Sequence, residues 1–288
     1  MKMFLFVNPA SGSHSAQRLQ LVLKQLRAHA VIPHVFEVRT PAEIYACCNS
    51  INKELEPPLV IVAGGDGTCN AVINGLEPDK ATLALLPFGT SNVLAAEIGI
   101  TSLADALERI IAGKSRSLSV GVIELEGRTL RFLLMAGIGL DGAVVRDVWP
   151  LGKRFLRQGA YALSALKRVL LWDSTRFEMS TPKGTVACHT AIICNASRYG
   201  GDFILSPDCS PFLPGLSAVC ITGNSRSTYL SSALELFNGR AENSRNLTRI
   251  HSSSFEIRGT HPIQIDGDFV GYGPARISEC VDFARIIV

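Results

Sequence analysis

The stretch Val60–Gly75, VIVAGGDGTCNAVING, constrains this chain more than any other. Leu59 to Val62 are apolar and run straight into glycines, the pattern of a central parallel strand buried on both faces. Gly64, Gly65 and Gly67 then strip the side chains from a tight turn. Glycine admits positive φ cheaply and lets a backbone approach a bulky anion. Thr68 to Leu76 reads as a helix with Ala71, Val72 and Leu76 on one face and Asn74-Gly75 as its stop. Strand, glycine turn and helix N-terminus together make a seat for phosphate. Asp66 puts a carboxylate in that seat, which fits if Mg²⁺ accompanies the phosphate. The alternative is a plain βα turn with the aspartate capping the helix.

The flanking sequence repeats the same unit. Met3 to Val7 is an apolar strand, and Asn8-Pro9-Ala10-Ser11-Gly12 is a turn leading into a helix with Leu19, Val22, Leu23 and Leu26 on its buried face. A strand from Val31 to Val38 and a helix from Pro41 to Lys53 follow, with Thr40 as N-cap. Ala81 to Leu86 is a further strand, and Pro87-Phe88-Gly89-Thr90-Ser91-Asn92 opens a helix from Val93 to Ile98. Repeated β-α units with short loops predict a doubly wound, Rossmann-like parallel sheet, whose ligands collect at the carboxyl ends of the strands. The Asn8, Thr40, Gly64 and Gly89 turns would share that end.

The texture changes near Ser117. Leu118, Val120 and Val122 alternate with small or polar residues, Glu126-Gly127 is a hairpin turn, and Thr129 to Met135 returns. Strands are expected at 175–180, 185–195, 216–222, 247–257, 261–265 and 275–287, with helices at 157–172 and 228–237. The fold class expected is α/β plus all-β: an α/β domain over 1–117 and an antiparallel β-sandwich over 118–280. The last strand, near 281–288, is a candidate to return to the first domain.

Hydrophobic residues make up 47% and charged residues 18%, which argues against disorder; a net charge of +3 is too small to point to nucleic acid. The apolar run after Lys2 ends at Asn8-Pro9, too short for a signal peptide, and no run reaches bilayer length. None of the eight cysteines forms C-x-x-C, so reduced, buried thiols in a cytoplasmic protein are expected. Two motifs mislead. Gly137-Ile138-Gly139-Leu140-Asp141-Gly142 fits G-x-G-x-x-G but lacks an acidic residue about 20 positions on. Gly113-Lys114-Ser115 ends like a P-loop, but Glu108 stands where its first glycine belongs, so it reads as a helix C-terminus.

GGDGT followed by x-N resembles the signature of the diacylglycerol kinase catalytic domain and its sphingosine, ceramide and NAD kinase relatives. Asn8 to Gly12 resembles that family's NPxSG turn, Gly64 to Leu76 its GGDGTxNxVxNGL, and Gly89 to Asn92 its GTxN. Ala136 to Asp141 resembles its aGxGxD turn. Asn195, Tyr199-Gly200-Gly201 and Ser206-Pro207 resemble the stretch before its metal loop, and Asp266-Gly267-Asp268 sits where the family has DGE. The resemblance implies an ATP- and Mg²⁺-dependent lipid kinase acting on diacylglycerol or a similar lipid alcohol. It implies ATP on Asn8, Pro9, Ala10, Ser11, Gly12, Thr40, Gly64, Gly65, Asp66, Gly67, Thr68, Asn70, Ala71, Gly89 and Thr90. Mg²⁺ would sit near Asp66 through ATP, and Asp268 would accept the proton of the lipid hydroxyl.

Four departures stand out. Asp268 is one methylene shorter than the family's Glu, Ala71 replaces the Glu of xNE, and Ser13 replaces a basic residue. Pro214, in Phe212-Leu213-Pro214-Gly215-Leu216, removes the aspartate of the structural metal loop, so that metal site is expected to be lost or built differently, with Asp208 the candidate substitute. These keep open a catalytically weakened nucleotide- or lipid-binding protein; a soluble NAD-kinase-like enzyme is the other alternative. Between Arg146 and Arg176 lie seven basic residues and two acids, interleaved with aromatics. Trp149–Trp172 is therefore the expected peripheral membrane contact, or else an ordinary amphipathic helix with a solvated face. A monomer or a homodimer, without nucleic acid, is expected.

Overall fold

The computed structural model describes residues 2–147, 175–201, 203–223, 225–237, 244 and 246–288. The chain forms two compact units, Met1–Ser119 with Val281–Val288, and Val120–Cys280.

In the first unit, β1 (Met3–Val7), β2 (His34–Glu37), β3 (Leu59–Gly64) and β4 (Thr82–Pro87) are parallel, in the order β2-β1-β3-β4. All of β3 is buried, as its apolar run requires. Helices α1 (Ala16–Ala28), α2 (Pro41–Ile51), α3 (Asp66–Gly75), α4 (Val93–Glu97) and α5 (Leu103–Ala112) make the connections. The strand order reverses between β1 and β3, so their carboxyl ends flank the crevice where such sheets bind ligands. Thr40 caps α2, accepting from Glu43 N, while Glu43 reaches back to the Thr40 N–H. The false P-loop is the end of α5: Gly113 adopts φ +68 and its N–H closes on Arg109.

Several boundaries differ from expectation, and α2 stops at Ile51 rather than Lys53. β2 is shorter than Val31–Val38, although both of those valines are buried. α3 begins at Asp66, not Thr68, because Gly65 is its extended N-cap and the amides of Thr68 and Cys69 both close on Gly65 O.

The second unit begins within β5 (Ser115–Leu125), which turns at Glu126-Gly127 into β6 (Arg128–Phe132). Both turn residues have positive φ, +52 and +72, the geometry that matches strand twist in a two-residue hairpin. β7 (Met135–Gly139) leads into α6 (Leu140–Asp147); β8 (Phe177–Thr181), β9 (Gly184–Cys188), β10 (Thr190–Cys194), β11 (Arg198–Tyr199) and β12 (Phe203–Ile204) follow. β13 (Leu216–Ile221), α7 (Arg226–Phe237), β14 (Leu247–Ser252), β15 (Ser254–Ile257), β16 (Pro262–Ile265), β17 (Asp268–Tyr272) and β18 (Ala275–Ile287) complete the chain. One antiparallel layer runs β14-β13-β10-β7-β16-β17. β9, β8, β15 and the Ala275–Ser278 end of β18 form another. Fully buried Ile138, Ala191, Ile193, Met179, Phe255 and Ile277, from both layers, share one core, so this unit is a sandwich. β18 ends in the first unit, where Arg285 and Ile286 pair in parallel with Thr82 and Leu83.

The expected strands 185–195 and 247–257 are each two strands, broken at His189 and Ser253, where the chain passes from one layer to the other. β17 is a strand that the sequence pattern does not announce. The Trp149–Trp172 segment and the helix expected at 157–172 lie outside the described residues. All eight cysteines are free and six are buried. Among the described residues no helix is long and apolar enough to cross a membrane.

Candidate functional site

Three of the four strand-end turns in the first unit are tied into one cradle. Asn8 Nδ2 donates to Thr68 Oγ1 at 3.1 Å, bridging the β1/β3 crevice, while Asn8 Oδ1 accepts from Ala10 N and so folds the Pro9–Ser11 turn. Ser13 N donates to Phe88 O at 3.0 Å, and the amides of Phe88 and Gly89 donate to Gly64 O. Glycines permit this closeness. A Cβ on Gly89 would lie 2.4 Å from Gly65 Cα, and one on Gly12 would lie 2.2 Å from Thr90 Oγ1. At Gly67, exposed in the first turn of α3, a Cβ would meet nothing within 4 Å.

The Asp66 carboxylate spans two turns rather than capping its own helix. Oδ2 accepts from Val93 N at 3.1 Å and Oδ1 from Leu94 N at 3.0 Å, at the start of α4. Each oxygen retains a second acceptor position. Thr68 is buried and Asn70 half-buried; Asn70 O and Oδ1 both accept from Asn74 Nδ2. Ala71, one turn beyond Thr68 on α3, is 5% exposed. Thr40 belongs to the fourth strand end, where its hydroxyl oxygen serves the α2 cap. Asn92, absent from the expected ligand set, braces the cradle: held at φ +48, it accepts from Gly89 N and donates to Gly89 O. Arg18, one turn into α1, donates to Ser13 O at 3.2 Å and stands over the Phe88 ring.

In the second unit, Asp266-Gly267 is the two-residue turn between β16 and β17, with φ +46 and +89, and Asp268 is the exposed first residue of β17. Asp266 is structural: Oδ2 accepts from Leu133 N at 2.7 Å, and Oδ1 accepts from Leu134 N and Met135 N. Asn195 holds the same segment through its carbonyls, with Nδ2 on Leu133 O and its backbone N on Leu134 O. Beside the turn lies a polar group of buried Asp141 and Gln264 with half-buried Tyr199, in which both Asp141 oxygens accept hydrogen bonds. Burial pushes the Asp141 carboxyl above the usual carboxylate range, against the two donors, which pull it down. G-x-G-x-x-G thus begins in β7, whose neighbours are antiparallel, and runs into α6, where its Asp141 joins this polar network, so it is not a dinucleotide turn.

The loop before β13 holds Pro214 and Gly215. Gly215 N donates to Glu279 Oε2 at 2.7 Å, so the carboxylate reaching this loop comes from β18; Asp208 is exposed. Among the described residues, no three His, Cys, Asp or Glu side chains cluster to hold a metal. A lone carboxylate such as Asp66 suits Mg²⁺ that arrives on phosphates and keeps its waters.

A parallel α/β unit followed by an antiparallel sandwich is the architecture of a two-domain kinase family. Residues 2–123 match the diacylglycerol kinase catalytic domain, and residues 135–287 match the YegS C-terminal NAD kinase beta sandwich-like domain. The chain belongs to this family of lipid kinases. It is 30% identical over 157 residues to a probable lipid kinase YegS-like protein of Shewanella frigidimarina, covering 52% of this chain and 50% of that one. It is 32% identical over 160 residues to a diacylglycerol kinase of Bacillus subtilis, covering 53% and 51%. These matches thus span about half the length of each curated relative. The crystal structure of a Bacillus anthracis diacylglycerol kinase superposes with a TM-score of 0.72 at 18% identity, covering 99% of this chain and 96% of that one, which shows the fold.

Proposed function

We propose that this chain transfers the γ-phosphate of ATP, with Mg²⁺, to the hydroxyl of diacylglycerol or a similar lipid alcohol. The observation that carries the reading is the Asn8–Gly12, Gly64–Thr68 and Gly89–Thr90 cradle, where glycines hold three turns within contact and Gly67 leaves space for a ligand. Backbone N–H groups and the hydroxyls of Ser11 and Thr90 would hold the phosphates. Mg²⁺ bound through ATP near Asp66 would neutralise phosphate charge. Asp268 would take the proton of the lipid hydroxyl as its oxygen attacks phosphorus. Relatives named diacylglycerol kinase and lipid kinase support the acceptor class. Basic and aromatic residues over 149–172 would meet an anionic bilayer surface from the cytoplasmic side.

A nucleotide-binding protein without turnover is the second reading, favoured by the two N–H groups already on Asp66 and by the short Asp268 side chain. One experiment separates them: labelled-phosphate transfer from ATP and Mg²⁺ to micelles holding diacylglycerol, monoacylglycerol, ceramide, sphingosine or phosphatidylglycerol. A phosphorylated lipid that disappears in Asp66→Ala and Asp268→Ala supports the kinase. Bound ATP with no lipid product supports the second reading.

A further inference from the structure

We infer that Gln264 and Asp141 form a positioning relay for Asp268. The inference rests on the reading of Asp268 as the base that serves the lipid hydroxyl. Gln264 is 2% exposed, and both ends of its amide are used: Nε2 donates to Asp141 Oδ2 at 2.8 Å, and Oε1 accepts from Gly267 N at 2.8 Å. The other Asp141 oxygen accepts from the Tyr199 hydroxyl. Asp141 is itself 7% exposed, and Gly137 makes room for it: a Cβ there would lie 1.7 Å from Oδ2.

Both Asp141 oxygens accept, one from Gln264 and one from Tyr199, whereas an amide has a donor end and an acceptor end. Asp141 therefore fixes which way Gln264 faces. Its NH₂ must point at Asp141, which leaves its carbonyl for the Gly267 N–H. The flipped amide would set NH₂ against N–H and carbonyl against carboxylate. The two central residues of the turn are then both pinned, Asp266 by the amides of Leu133 to Met135 and Gly267 by Gln264. Asp268 is the next residue, so the relay sets the direction in which its side chain leaves the turn. Tyr199 ties the same network to the β11 strand, far from the turn in sequence. A base one methylene shorter than glutamate has little reach to spare. A displacement of about 1 Å at a reacting group costs on the order of 10²-fold in rate.

The polarity of the relay can be reversed. In Asp141→Asn two NH₂ groups compete, and in Gln264→Glu two carboxyl groups face each other. In the double variant the amide placed at position 141 donates to the carboxylate placed at position 264. That carboxylate still accepts from Gly267 N, and the carbonyl of the new amide still accepts from Tyr199. The test is steady-state phosphorylation of diacylglycerol micelles by the full chain and by the three variants, with amide hydrogen exchange at Gly267 measured in parallel. Each single variant is expected to lose about 10- to 100-fold in kcat with the KM for ATP unchanged, and to speed Gly267 exchange. The double variant is expected to recover to within about 3-fold of the parent in both readouts. Tyr199→Phe, which keeps the ring and removes one donor, is the variant least able to disturb folding, and a smaller fall in kcat is expected from it. Single variants at parental kcat, or losses that multiply in the double variant without recovery of exchange, overturn the relay. A parent chain that phosphorylates no lipid overturns the functional reading instead. Gly267 exchange still reports whether Gln264 and Asp141 hold the turn.

Discussion

Asp66 Oδ1 accepts the backbone N–H of Leu94 at 3.0 Å, so a residue in the glycine turn after β3 also holds the start of α4. A second bond, from Val93 N to Oδ2, makes the link two-pronged. Hydrogen bonds from N–H groups to an ionised carboxylate contribute about 1.5–3 kcal/mol each when lost. Asp66→Ala is therefore expected to lower stability by roughly 3–6 kcal/mol where the two losses add. The same variant should abolish phosphoryl transfer. Thermal unfolding recorded beside the activity assay separates the two effects. If activity falls only in proportion to unfolded protein, the carboxylate has no role beyond the α4 cap.

Gly67 allows a cleaner separation. It is exposed within α3, and a Cβ there would touch nothing within 4 Å. Alanine is a better helix former than glycine by up to about 1 kcal/mol. Gly67→Ala should thus leave the melting temperature unchanged or raise it. If the open space receives a phosphate, the added methyl should weaken ATP binding by about tenfold or more, a factor that corresponds to about 1.4 kcal/mol. Calorimetric titration with Mg²⁺-ATP checks this; parental affinity in a stable variant would move the nucleotide away from the α3 N-terminus.

Arg18 supplies a cation that position 13 lacks. Its guanidinium reaches Ser13 O at 3.2 Å and stacks over Phe88, beside the Gly89 turn. A guanidinium matches phosphate oxygens in a planar, bidentate geometry that a lysine cannot reproduce. Arg18→Gln is expected to raise the KM for ATP about 5- to 30-fold, about 1–2 kcal/mol of charge-assisted binding, with little change in the lipid KM. Arg18→Lys should recover part of the loss. Equal effects on both substrates would argue against a phosphate contact.

Local patterns were legible and long-range contacts were not. The apolar run of β3, the Thr40 cap and the Glu126-Gly127 hairpin depend on neighbours in the chain, and each formed as expected. Asp266-Gly267 is the same kind of hairpin turn, but in the sequence it stands out as a site motif, which hides β17 behind it. The breaks at His189 and Ser253 are hidden because apolar alternation continues while the chain changes layer. Asn92 and Gln264 carry no periodic signal. Their roles appear only when Gly89 and Asp141 close on them, the latter from 123 residues away.

Asp141 gives the pH dependence its sign. Its carboxyl titrates above the ordinary aspartate range, chiefly because burial penalises the charge. Between the unfolded and the folded pKa the native protein holds a proton that the unfolded chain has released. Stability from this group is therefore complete below the ordinary aspartate pKa and is lost as pH rises through the folded one. Asp141→Asn removes that titration while keeping the shape. The variant is destabilised by a fixed amount at low pH through its misdirected NH₂, and the gap to the parent should narrow as pH rises. Urea unfolding of both proteins from about pH 4 to pH 8 checks the slope. A gap that widens with pH would mean that the ionised Asp141 is favoured by its two donors more than burial opposes it.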